Sequence, residues 1–123
     1  MNAHEIGKKL VQLCQAGKNL ESIDTLYSPD IVSVEAAAPN GGDRVTKGIE
    51  GVRGKHDWWN ANHEVHSAEA HGPYPHGDDK FAVRFIYDVT FKPNNSRFKM
   101  DEVAVFTVAN DKVVREEFFY TMG

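Results

Sequence analysis

The feature that most constrains the fold is a strict two-residue alternation in the second half of the chain. Every odd-numbered residue from Phe81 to Phe91 is aromatic or valine, whereas Arg84 and Asp88 are among the even-numbered residues between them. Side chains alternate between the two faces of a strand. The stretch therefore predicts a long β-strand that packs one face against a hydrophobic core and leaves the other more polar.

Turn residues divide the second half of the chain into a series of antiparallel strands. Gly72 to Asp79, Pro93 to Ser96 and the pair Asn110-Asp111 carry the prolines, glycines and asparagines that favour turns. The strands predicted between them are Glu64 to Ala70, Phe81 to Phe91, Arg97 to Ala109 and Val113 to Met122.

The first half is predicted to be mostly helical. Asn2 can cap a first helix that Gly17 ends, and Asn19 can cap a second helix that Pro29 ends. The later predicted elements are a strand from Ile31 to Ala36, a loop from Ala37 to Thr46 and a third helix from Ile49 to Asn62. The order of elements indicates an α+β fold with helices on one face of a curved sheet, in one domain over residues 1–123.

Composition excludes several classes of function. The net charge is −4 and the basic residues are scattered, which argues against a nucleic-acid binder. Cys14 is the only cysteine, so no disulfide can form within the chain, and we interpret it as a core residue. No apolar run is long enough to cross a membrane, and Met1 to Glu5 do not begin a signal peptide. We expect a cytoplasmic protein.

Glu102 is out of place in its predicted strand. It shares a face with apolar residues, namely Phe98, Met100, Ala104, Phe106 and Val108. If the preceding turn pairs Lys92 with Arg97, Glu102 lies opposite Tyr87. A carboxylate there is costly unless it is paired or reaches water, so we expect it to be buried in a pocket and hydrogen-bonded. It is either a pocket acid with a raised pKa or a structural residue bonded to a tyrosine, an arginine or the backbone.

Glu35 is the second candidate acid. It ends the first predicted strand, on the same face as Ile31 and Ser33, and its sequence neighbours offer no charge to pair with it. It is either a catalytic base or a solvated residue at a strand end. The histidines do not have the spacing of a zinc site, so we expect no metal and no other cofactor. These are His63, His66, His71 and His76.

Five stretches resemble the SnoaL-like branch of the nuclear-transport-factor-2-like superfamily, which is related to ketosteroid isomerases. They are residues 26–32, 47–52, 81–85, 100–106 and 112–120. The resemblance implies a cone-shaped antiparallel or mixed sheet wrapped around about three N-terminal helices, enclosing a pocket, and it implies a homodimer. The superfamily includes both enzymes and non-catalytic binders.

The likeness to ketosteroid isomerases implies roles for particular residues. In those isomerases an aspartate opens the first strand, and the catalytic base lies five residues after it. The same count from Asp30 leads to Glu35. The family's first-helix tyrosine falls at Leu10, so that hydrogen-bond donor is missing. The family's protonated acid on the penultimate strand corresponds to Asp101 or Glu102. Which of these three acids faces the pocket stays open.

Two functions are therefore compatible with the sequence. The first is a metal-independent isomerase or cyclase in which Glu35 removes a proton next to a carbonyl, while Glu102 or Tyr87 stabilises the oxyanion. An apolar, cyclic substrate would contact a wall of aromatic residues and one histidine: Trp58, Trp59, Phe85, Phe106, Phe118 and His66. The second is a non-catalytic domain that binds an apolar ligand or a partner.

Overall fold

The computed structural model describes residues 1–38 and 42–121, which contain three helices and six strands. In chain order they are α1 (Ala3–Gln15), α2 (Asn19–Leu26), β1 (Tyr27–Val34), β2 (Val45–Lys47), α3 (Ile49–Asn62), β3 (His63–His76), β4 (Lys80–Phe91), β5 (Ser96–Ala109) and β6 (Lys112–Phe119). Met122, at the end of the last predicted strand, and the middle of the predicted loop, 39–41, lie outside the described residues.

All six strands form one sheet in the order β2-β1-β6-β5-β4-β3. Strands β1 and β6 are parallel, and the other neighbours are antiparallel, so the sheet is mixed. The helices precede most of the sheet in the chain, and α1 packs against β3 and β4. The predicted α+β class, with three helices against a curved mixed sheet, is confirmed.

The alternation in β4 defines the core as predicted. Phe81, Val83 and Val89 are fully buried, and the ring of Phe81 stacks on Phe106 of β5 with 5.0 Å between ring centroids. Helix α1 lies directly on this part of the sheet. A Cβ atom at Gly7 would come within 2.9 Å of the Cβ atom of Pro73, so only glycine permits such a close approach.

The helix starts were predicted with mixed success. Asn2 caps α1, and its side chain and that of Glu5 form the reciprocal pair of hydrogen bonds known as a capping box. The prediction for α2 was wrong, because Lys18 is the N-cap and Asn19 lies inside the helix. Pro29 does not end this helix. It lies in β1, in the irregular stretch where pairing with β6 is interrupted, so its missing N–H group breaks no regular ladder.

The predicted turn from Gly72 to Asp79 was also wrong over most of its length. Strand β3 continues to His76 in spite of its two prolines. Two features permit this: β3 is an edge strand that pairs only with β4, and its register shifts between His71 and Tyr74. Among the described residues no helix is long and apolar enough to cross a membrane.

Candidate functional site

A buried carboxyl group anchors a network of polar side chains between β1 and β6. Ser33 and Glu116 are direct partners in the parallel pair of strands and are 0% and 3% exposed. The hydroxyl of Ser33 donates a hydrogen bond to Oε2 of Glu116 at 2.7 Å, and the hydroxyl of Tyr27 donates to Oε1. Burial raises the pKa of Glu116, and the two hydroxyl donors act against that rise.

Lys55 of α3 links this anchor to Glu35. Its Nζ atom donates to Oγ of Ser33 at 2.7 Å and to Oε1 of Glu35 at 2.8 Å. The hydroxyl of Tyr120 donates to the other oxygen of Glu35 at 2.9 Å. Glu35 therefore has both a cationic partner and a neutral donor. The residues next to Glu35 in sequence supply neither partner, because Lys55 comes from α3 and Tyr120 follows β6.

Glu102 is close to this network and is not bonded to it. Hairpin β4–β5 pairs Phe91 with Ser96, so Glu102 lies opposite Phe85, and the predicted pairing with Tyr87 was wrong by two residues. A shift of two keeps Glu102 on the inner face. Burial is the main cause that raises its pKa from 4.5 to about 7. The charges of Glu35 and Glu116 add to the rise, and that of Lys55 opposes it.

The carboxyl group of Glu102 keeps access to solvent. It makes no hydrogen bond with the described residues, contrary to our expectation. In the same part of the chain, every side-chain oxygen or nitrogen that is fully shielded from solvent has a hydrogen-bond partner. The oxygens of Glu102 are therefore not fully shielded from solvent.

A continuous series of ring contacts, here called the aromatic track, leads from Glu102 towards the surface. Phe85, which lies opposite Glu102 in the sheet, stacks on Tyr87, and Tyr87 contacts Trp59. Trp59 stacks on His63 at 4.3 Å between centroids. His63 also contacts three further rings, which complete the track: Trp58, Phe91 and Phe98. Trp58 is 51% exposed, so the aromatic track extends from the partly buried Glu102 to the protein surface.

The other residues predicted for the site lie away from Glu102. Asp101 is on the outer face, where Arg84 holds it in a bidentate ion pair and lowers its pKa. Phe106 is 1% exposed and belongs to the core. His66 is exposed and bonded to the hydroxyl of Thr90. Phe118, in contrast, lies beside the network, with its ring 5.6 Å from Nζ of Lys55.

Sequence reasoning missed five residues of the network: Tyr27, Ser33, Lys55, Glu116 and Tyr120. Glu116 was hidden because the register of β5 and β6 shifts between Thr107 and Val108, so that Val113 and Glu116 both face inward although they are three positions apart. Lys55 did have a signal. It lies three residues after the buried Val52 and four before Trp59, a spacing that places side chains on one side of a helix.

Two surface depressions of about 350 and 400 Å³ lie elsewhere on the molecule. The first is lined mainly by the start of α1 and the β3–β4 turn, and the second by residues of β3, β4 and β5. Neither contains a residue of the network. In the described ranges no three potential ligands among histidine, cysteine, aspartate and glutamate come together as a metal site would require. The titratable groups therefore identify the network and Glu102 as the candidate site.

Known proteins include a relative that is similar in sequence and others that are similar only in fold. The sequence model of the SnoaL-like domain matches residues 1–120. A protein from Mesorhizobium loti, with a proposed role as a SnoaL-like polyketide cyclase and carbohydrate phosphatase, is 42% identical over 94% of this chain and 97% of its own, with a TM-score of 0.87.

Two further structures are similar in fold alone. A proposed isomerase from Bacillus subtilis is 15% identical, with a TM-score of 0.79 over 98% of this chain and 90% of its own. A computationally designed binder of 17-OHP is 16% identical, with a TM-score of 0.72 over 99% of this chain and 95% of its own. Among curated proteins, none matches the sequence.

Proposed function

Because this chain belongs to the SnoaL-like domain family, we propose that it binds a small molecule and moves a proton on it without a metal ion. The proposed reaction class is isomerisation or ring closure next to a carbonyl group. One of the two roles proposed for the Mesorhizobium loti relative is that of a polyketide cyclase, and the Bacillus subtilis protein is proposed to be an isomerase.

The observation that carries the proposal is the contrast between two neighbouring carboxyl groups. Glu35 is paired with the ammonium group of Lys55, which balances a negative charge. Among the described residues Glu102 has no such partner, and its pKa of about 7 leaves a substantial fraction of it protonated at neutral pH. Two carboxyl groups in such different environments are suited to opposite roles in proton transfer.

In the proposed reaction, Glu35 accepts the proton from the carbon next to the carbonyl. The electrons of that C–H bond form an enolate, and the protonated carboxyl of Glu102 donates a hydrogen bond or its proton to the enolate oxygen. Each oxygen of Glu35 accepts one hydrogen bond and has a second lone pair available. Return of the proton to a different carbon completes an isomerisation. In a ring closure the enolate carbon instead attacks a second carbonyl, whose π electrons move to its oxygen, and that oxygen takes the proton held by Glu35.

The aromatic track supports an apolar, cyclic substrate. Its rings lie next to Glu102, and aromatic residues of this kind line most small-molecule sites. The reacting carbonyl would lie at the Phe85 end, beside Glu102, and the rest of the molecule would extend towards Trp58. A designed protein of the same fold binds 17-OHP, so the fold can hold a small molecule.

Exchange of hydrogen for deuterium tests the reaction class before a substrate is known. The protein is incubated in D₂O with a panel of cyclic ketones and diketones, and NMR follows the loss of the proton next to each carbonyl. We expect exchange with some members of the panel, and Glu35→Gln and Glu102→Gln should slow it. Glu117→Gln is the control, because Glu117 bonds to Arg115 outside the network. Equal rates for all four proteins would refute the proposal.

The pH dependence of exchange distinguishes the two possible roles of Glu102. If Glu102 is the acid, exchange declines as the pH rises above about 7, because the carboxyl loses its proton. If Glu102 is instead the base, exchange declines as the pH falls below about 7. In either case Glu102→Gln should remove the decline that Glu102 causes. Glu35 is the base only if exchange declines at high pH.

The second candidate function is binding without chemistry. The observation that favours it is that Lys55 and Tyr120 each donate to Glu35, since strong partners weaken a carboxylate as a base. A ketone that binds to the protein, detected by changes in tryptophan fluorescence, without any exchange would support this second function over the first.

A further inference from the structure

The reaction proposed above leaves the buried pair of Glu116 and Ser33 without a role. Glu116 is a titratable group in the interior, and burying a carboxylate costs free energy unless it is paired and hydrogen-bonded. The pair is not isolated. Within the described ranges, Ser33 is the one residue whose side chain forms hydrogen bonds with both Glu116 and Lys55, and Lys55 in turn donates to Glu35.

The directions of the hydrogen bonds are fixed by the groups concerned. An ammonium group can only donate, so Lys55 donates to the oxygen of Ser33. The single hydroxyl proton of Ser33 is then directed at Glu116, whose Oε2 atom is 2.7 Å away. The carboxyl oxygen of Glu116 thus orients the hydroxyl, and the oriented hydroxyl presents its lone pairs to Lys55.

We propose that Glu116 is a positioning residue that holds the ammonium group of Lys55 against Glu35 through the hydroxyl of Ser33. Tyr27 has a different part, because it bonds to the other oxygen of Glu116 and does not contact Lys55. The proposal deepens the function proposed above, since it assigns a role in the same site, but its test needs no substrate.

The position of Lys55 matters for Glu102 as well. Glu102 is affected by three charged groups: Glu35 and Glu116 raise its pKa, and Lys55 lowers it. Burial raises the pKa of two nearby tyrosines, Tyr87 and Tyr120, and the charge of Glu102 adds to that rise. If Lys55 loses its anchor at Ser33 and moves, the group that favours the ionised form of Glu102 is withdrawn, and the pKa of Glu102 rises further.

Two NMR signals report on the proposed arrangement. The first is the Lys55 ammonium signal, which is visible when hydrogen bonds slow its exchange with water. The second is the titration of the Glu102 side-chain carboxyl carbon. Ser33→Ala should remove the ammonium signal and raise the Glu102 midpoint by about half a pH unit or more. Ser33→Thr keeps the hydroxyl and should restore both.

Two further variants separate positioning from a purely structural role. Tyr27→Phe removes a buried hydroxyl from the same network but should keep the Lys55 signal. The double variant Tyr27→Phe with Glu116→Leu removes both partners of one buried hydrogen bond, so that no hydroxyl of Tyr27 is left unpaired. It should lose the Lys55 signal as Ser33→Ala does.

The proposal is overturned if Ser33→Ala leaves either the Lys55 signal or the Glu102 midpoint at its wild-type value. It is also overturned if the Lys55 signal persists in the double variant, because Glu116 would then not be required. None of these results depends on catalysis, so a failure of deuterium exchange would refute the proposed function and leave this inference standing.

Discussion

Glu102→Gln should stabilise the protein at high pH and have little effect at low pH. In the folded protein the pKa of Glu102 is about 7, compared with an ordinary value of 4.5. The folded state therefore holds a proton at Glu102 over a range of pH in which the unfolded chain has released it. Ionising Glu102 in the folded state costs free energy, and glutamine avoids that cost because it does not ionise.

The size of the effect follows from the shift. A tenfold change in proton affinity is worth about 1.4 kcal/mol, so the rise from 4.5 to about 7 corresponds to about 3 kcal/mol. Because the pKa of Glu102 is raised in the folded state, the free energy of unfolding falls as the pH rises. The contribution of Glu102 to stability is fully present below 4.5, declines as the pH rises to about 7, and is lost above that value. Relative to wild type, the glutamine variant should gain about 3 kcal/mol across this window.

Urea unfolding followed by tryptophan fluorescence measures the difference at a series of pH values. The comparison of wild type with Glu102→Gln cancels the titration of groups whose surroundings the substitution leaves unchanged. We expect the two unfolding free energies to diverge between 4.5 and about 7 and to run parallel above that. A difference that does not change with pH would refute the reasoning, because Glu102 would then titrate alike in the folded and unfolded chain.

Four further predictions concern the site, the outer face, the oligomeric state and metals. If a substrate is found, Glu35→Gln should lower its turnover by about 10²–10⁴-fold without unfolding the protein, and turnover at the wild-type rate would instead make Glu102 the candidate base. Asp101→Asn should leave that turnover unchanged, because Asp101 lies on the outer face with Arg84, and a large loss would contradict this placement. Light scattering should give the mass of a homodimer that covers apolar residues such as Val103, and a monomer mass would contradict it. Treatment with a chelator should change neither melting temperature nor activity, whereas stoichiometric zinc that survives dialysis would disprove that expectation.

The sheet could be predicted because its pattern repeats. The alternation from Phe81 to Phe91 is imposed by the geometry of a strand, and it identified both the strand and its buried face. The placement of Glu102 on the inner face followed from the same rule, since parity does not depend on which residues pair across the turn. The pairing itself was wrong by two residues, because the sequence does not determine how tightly the Pro93 turn closes.

The partners of Glu35 could not be predicted for a different reason. Lys55 and Tyr120 are far from Glu35 in sequence, and only the packing of α3 and of the chain end beside β1 brings them together. Glu116 was hidden by an irregularity in β6 that reverses the expected facing of the residues after it. Local periodicity therefore predicts which side chains point inward, and not which of them meet.

The parallel pairing of β1 with β6 has a consequence for biosynthesis. In chain order these are the first and the last strands of the described sheet, and Ser33 and Glu116 meet only when they pair. A ribosome delivers β1 long before β6, so the growing chain exposes an unfinished sheet edge until β6 emerges. Closing such a distant contact is slow because much chain entropy is lost before any contact compensates for it. A nascent chain arrested before β6 would therefore lack every contact that Glu116 makes, and the site can assemble only once β6 has emerged.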